Sequence, residues 1–86
     1  MESTRVIIVE DEPLFSEMLC RTLSGMPSIK VLETTDNGET AIQLAMERKP
    51  DVMLMDIELK GELDGIEAAL LIYILLRPGI LLEKKE

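Results

Sequence analysis

Two short apolar runs, each ending abruptly on acids, constrain this chain more than any other feature. Val6-Ile7-Ile8-Val9 runs into Glu10-Asp11-Glu12, and Val52-Met53-Leu54-Met55 runs into Asp56. A half-exposed strand alternates apolar with polar residues; an unbroken apolar run suits a strand covered on both faces. That is the environment of a parallel sheet lying under helices.

The segments between these runs have helical spacing. Pro13 sits where a first helical turn accepts proline, and Leu14, Met18, Leu19, Thr22 and Leu23 recur at steps of three and four. Ser24-Gly25-Met26-Pro27 stops that helix. Residues 28–35 alternate imperfectly through Ile29, Val31 and Leu32, which predicts a second strand nearer an edge than the first. Asp36-Asn37-Gly38 is turn chemistry, and residues 39–49 place Ala41, Ile42, Ala45 and Met46 on one helical face before Pro50. The third strand follows over residues 51–57. After the loop Lys60-Gly61-Glu62-Leu63-Asp64-Gly65, a third helix is expected over residues 64–72.

Strands and helices that alternate in this way imply an open parallel sheet with right-handed crossovers. With 86 residues the chain has room for one domain, and 47% apolar content supplies a core built without aromatics beyond one Phe and one Tyr. Its formal net charge of −8 repels phosphate backbones and anionic lipid, so no direct nucleic-acid or membrane binding is expected. There is no His, which removes Ser-His-Asp catalysis and His-ligated zinc. The single Cys20 lies among Met18, Leu19 and Leu23 and reads as a small core residue. The first residues lack the pattern of a signal peptide, and the longest apolar run, residues 68–76, is short of the roughly 20 residues of a membrane span. A cytoplasmic location is expected.

In open α/β sheets, sites lie beyond the carboxyl ends of the strands. If the first and third strands are neighbours, Glu10, Asp11 and Asp56 converge there. One acid closing a strand is ordinarily just solvated. A pair after one apolar strand and a third after its match are better explained by a divalent cation. With oxygen donors alone, a hard ion such as Mg²⁺ fits best.

Three segments carry a family resemblance. Val6-Ile7-Ile8-Val9-Glu10-Asp11-Glu12-Pro13, Pro50-Asp51-Val52-Met53-Leu54-Met55-Asp56-Ile57 and Leu63-Asp64-Gly65-Ile66-Glu67-Ala68-Ala69 resemble, in order, the receiver domain of two-component response regulators. The resemblance covers residues 5–72 of a single domain spanning residues 1–86. It implies a flavodoxin-like (CheY-like) doubly wound parallel sheet, here incomplete at its C-terminal end. It also implies Asp56 as phosphoacceptor, with Mg²⁺ held by Asp11, Asp56 and the backbone carbonyl of Glu58, and by Glu10 through water. The implied partner is a sensor histidine kinase or phosphotransfer protein whose phosphohistidine supplies the phosphoryl group.

The C-terminal section departs from the family. A complete receiver has a fourth strand ending in Ser or Thr and a fifth ending in Lys before Pro. No fourth strand is evident, and the ragged residues 73–86 include Tyr73-Ile74-Leu75-Leu76-Arg77-Pro78, which resembles a fifth-strand remnant with Arg77 as a phosphate contact. A missing fourth strand would expose the edge of the third, which favours self-association. Two other functional readings stay open. One is a pseudo-receiver that binds partners without productive phosphorylation; the other is a phosphatase or phosphotransferase with Asp56 as nucleophile.

Overall fold

The structure is a computed structural model describing residues 3–59, 61 and 63–83. Its elements are β1 (Thr4–Val9), α1 (Pro13–Ser24), β2 (Ile29–Thr35), α2 (Gly38–Arg48), β3 (Val52–Asp56), α3 (Gly65–Leu76) and β4 (Gly79–Glu83). The four strands form one sheet in the order β2-β1-β3-β4, and every pairing is parallel. Lys60 and Glu62 of the loop before α3, and the charged residues after Glu83, lie outside the described residues.

The sheet order explains the continuous apolar runs. β1 and β3 are the two inner strands, so both faces of each are available to be covered. Ile7, Val9, Met53 and Met55 bury one face against Ala41 and Ala45 of α2 and Ala68, Ala69 and Ile72 of α3. Alanines at the contact let both helices lie close to the sheet. Val6 and Ile8 project to the opposite face and are buried too. That face belongs to α1, because a right-handed crossover from β1 out to β2 places its helix on the other side from α2 and α3. β2 forms one edge, as its imperfect alternation indicates.

α1 is less buried than its spacing suggests. Glu12 is its N-cap, accepting from the backbone N–H groups of Leu14 and Phe15. Leu19 and Leu23 are half-buried, but Leu14 is 75% exposed and Met18 52% exposed. The buried side is rotated toward Phe15, Ser16 and Cys20, all half-buried. Cys20 is therefore a boundary residue rather than a core one, with its sulfur 3.9 Å from the Ser24 hydroxyl.

The C-terminal section corrects two expectations. Residues 73–76 are the last turn of α3, not a fifth strand, and a fourth strand is present in β4. The structure repeats at 76–80 what it does at 48–52. α2 ends on Lys49 in the left-handed region (φ 45°), followed by buried Pro50 and β3; α3 ends on Arg77 (φ 52°), followed by buried Pro78 and β4. Proline cannot extend a helix, so each pair stops one and turns the chain into the next strand. The strands dock in the same way as well. Asp51 N–H donates to the Arg5 carbonyl at 2.8 Å, and Gly79 N–H donates to the Asp51 carbonyl at 2.9 Å. β4 is thus the outer strand among the described residues, and the open edge is its own rather than that of β3. Within the described residues, no helix is long and apolar enough to cross a membrane.

Candidate functional site at the carboxyl edge of the sheet

Parallel pairing sends β1 and β3 out at the same edge. Val9 is the register partner of Met55, so the next residues, Glu10 and Asp56, leave the sheet side by side. Both are almost wholly buried, at 2% and 1% exposure, and Asp11 beside them is half-buried. One carboxylate oxygen from each of Glu10, Asp11 and Asp56 lies within 4.8 Å of the others. The structure therefore brings together the three acids singled out from the sequence.

Backbone groups hold these carboxylates in place. Glu58 N–H donates to Asp56 Oδ1 at 2.9 Å, and Glu12 N–H donates to Glu10 Oε2 at 3.0 Å. Glu10 N–H donates to the Thr35 carbonyl at 2.9 Å, which fixes the first acid to the end of β2. On the other flank, Ile57 N–H donates to the Glu83 carbonyl at 2.9 Å, and Gly65 N–H donates to the Ile57 carbonyl at 3.2 Å.

Glycine at position 65 is a steric requirement. A Cβ there would stand 1.9 Å from the Asp56 carbonyl oxygen, so only glycine lets the start of α3 touch the end of β3. The preceding Asp64 and Glu67 form a capping box that starts the helix at this contact. Glu39 of α2 accepts from the Leu63 N–H at 2.9 Å, tying down the loop between β3 and α3. The sequence Leu63-Asp64-Gly65 is thus a device for seating α3 against the backbone of Asp56.

Three carboxylates gathered at this edge repel one another when ionised, and a divalent cation would offset that repulsion. The donors are all oxygen, which fits Mg²⁺ and does not fit zinc or copper, whose usual ligands are His and Cys. The Arg5 guanidinium donates to the carbonyls of Arg48 (2.6 Å) and Lys49 (2.7 Å) at the amino edge. Arg77 is also at the amino edge, just before Gly79, whose register partner is Val52 at the start of β3. Its guanidinium lies 5.9 Å from the centre of the Tyr73 ring. Arg77 is therefore separated from Asp56 by the length of β3 and is not a phosphate contact; helix termination accounts for it.

Sequence reasoning missed Glu83. It is the last residue of β4 and the register partner of Asp56, at the strand end where the family resemblance leads one to expect Ser or Thr.

Comparison with known proteins agrees with this geometry. Residues 6–73 match the response regulator receiver domain family. This chain belongs to that family. Over 65 residues, the receiver is 45% identical to the positive alginate biosynthesis regulatory protein of Pseudomonas aeruginosa, covering 74% of this chain and 26% of that protein. It is 38% identical over 68 residues to the probable transcriptional regulatory protein NarL of Mycobacterium tuberculosis, covering 79% of this chain and 31% of that one. Among solved structures, it resembles the response regulator domain of Thermotoga maritima CheB with a TM-score of 0.91 and 32% identity, over 96% of this chain and 61% of that chain. The signal receiver domain of Mycobacterium tuberculosis NarL gives a TM-score of 0.90 at 33% identity, over all of this chain and 69% of that one. The fold is therefore the flavodoxin-like receiver fold. The receiver spans about a quarter to a third of these two regulators.

Proposed function

We propose that this receiver is a phosphoacceptor module, accepting a phosphoryl group on Asp56 from the phosphohistidine of a sensor histidine kinase or phosphotransfer protein. Its role is signalling through changed protein contacts rather than substrate turnover. The observation that carries the reading is the convergence of Glu10, Asp11 and Asp56, from two separate strand ends, to within 4.8 Å.

The residues divide the work as follows. Glu58 N–H fixes Asp56 Oδ1 and so sets the rotation of the carboxylate that acts as nucleophile. Asp11 and Asp56, with the Glu58 carbonyl, would hold Mg²⁺, and Glu10 would reach it through water. The metal supplies charge neutralisation for the phosphoryl oxygens, the main requirement of a reaction governed by positioning and electrostatics. Gly65 and the capping box keep α3 packed on the nucleophile's backbone, which gives a change at Asp56 a rigid element through which to act.

One observation favours a second reading, a pseudo-receiver that binds partners without productive phosphorylation. Glu83 places a carboxylate at the end of the strand beside Asp56. Incubation with acetyl phosphate and Mg²⁺, followed by intact mass measurement, separates the two. Phosphate mass gained by the parent and lost in Asp56→Asn supports the phosphoacceptor. No gain in the parent, with Mg²⁺ binding retained, supports the pseudo-receiver.

A further inference from the structure

Glu83 has a consequence for the chemistry of Asp56, provided Asp56 is the phosphoacceptor. The two are register partners on adjacent parallel strands. Such partners project from the same sheet face, on strands about 4.8 Å apart. The Ile57 N–H bond to the Glu83 carbonyl ties the two strand ends together at this point. One oxygen of each carboxylate, Asp56 Oδ2 and Glu83 Oε1, is shut off from solvent, where charges are poorly screened. Glu83 nevertheless stands outside the trio whose oxygens converge. It flanks the nucleophile without joining the cluster.

We propose that Glu83 tunes this site electrostatically. Its carboxylate opposes accumulation of a phosphoryl group on Asp56 and strengthens the attraction of the acidic cluster for a divalent cation. In the transfer, an Asp56 carboxylate oxygen bonds to phosphorus as the donor's bond to phosphorus breaks. With acetyl phosphate the electron pair leaves on acetate and no proton moves. Asp56 begins with one negative charge and ends carrying roughly two on the phosphoryl oxygens. The repulsion from Glu83 therefore grows along the reaction, whereas its interaction with a cation is attractive throughout. Removing the charge must move the two properties in opposite directions. Loss of packing would lower both together.

The test compares the parent with Glu83→Gln, which removes the charge, and Glu83→Asp, which keeps it. Phosphoryl incorporation from acetyl phosphate is followed at saturating Mg²⁺, and Mg²⁺ affinity is measured separately by calorimetry. Glu83→Gln is expected to incorporate phosphate about tenfold faster, equivalent to about 1.4 kcal/mol, and to bind Mg²⁺ a few-fold more weakly. Glu83→Asp should move both readings back toward the parent. Incorporation by Glu83→Gln that is unchanged or slower overturns the proposal, as does Mg²⁺ binding that is unchanged or tighter. Asp56→Asn distinguishes the two levels of the argument. If it is labelled as fast as the parent, the phosphoacceptor reading falls and the proposal with it. If labelling depends on Asp56 but Glu83→Gln gains nothing, only the role of Glu83 is lost.

Discussion

Gly65 and the carbonyl of Asp56 are in such close contact that a methyl group on the glycine would lie 1.9 Å from the oxygen. The colliding atom is backbone at the end of an inner strand, so no side-chain rotation relieves the clash. Gly65→Ala is expected to destabilise the fold by about 3 kcal/mol or more, the upper range for overpacking, read as a lowered denaturant midpoint. It should also weaken Mg²⁺ binding, because the backbone that moves carries Asp56.

The capping box at the same helix start is worth less. Asp64→Ala removes the acceptor for the Glu67 N–H and should cost about 1 kcal/mol, measured by urea unfolding. The loss should be mainly in stability, with Mg²⁺ affinity changed far less than in Gly65→Ala.

Asp11 offers a direct check of the cation site. Asp11→Ala should weaken Mg²⁺ binding by at least about tenfold relative to the parent, the cost of losing one charged oxygen ligand from a small set. Glu47→Ala, an exposed acid on α2, should leave the affinity near that of the parent. Mg²⁺ should raise the melting temperature of the parent, because a ligand that binds only the native arrangement stabilises it. Equal calorimetric affinities for the two variants would exclude a site built on Asp11.

Most of this fold can be read from residue order alone, because each element carries its own physical signal. β1 and β3 announce themselves as continuous apolar runs, and β2 as an alternating edge. α2 reads through alanines at helical spacing. Convergence of the acids follows from the strand order, with Asp11 and Asp56 meeting because β1 and β3 pair directly. β4 was hidden by its neighbours: α3 is apolar on nearly every side, so periodicity does not mark where it ends. A basic residue before proline then suggests the end of a strand. The decisive signal was the likeness of Arg77-Pro78-Gly79-Ile80 to Lys49-Pro50-Asp51-Val52, a helix stop followed by a strand in both places. Without that likeness, Glu83 stays hidden and Arg77 falls at the wrong end of the sheet. The close approach at Gly65 depends on packing between α3 and β3 and has no local signature beyond the glycine itself.

The corrected topology moves the expected self-association surface from β3 to β4. Among the described residues β4 has no neighbour on its outer side, and it carries Leu81 at 61% exposure. An exposed edge strand that is mostly apolar, with its one charge at the end, pairs readily with copies of itself. Leu81→Lys should therefore shift sedimentation of the 86-residue chain toward the monomer. A parent that is already monomeric at micromolar concentration would contradict this expectation.

Asp56 is the proposed carrier of the phosphoryl group. An acyl phosphate is reduced by borohydride to an alcohol, which converts a phosphorylated aspartate to homoserine. The receiver would be treated with a phosphodonor and Mg²⁺, reduced, digested and sequenced by mass spectrometry. We predict homoserine at position 56, with Glu10 and Asp11 unmodified. Modification at another acid, or a phosphorylated chain in which Asp56 remains intact, would contradict the account.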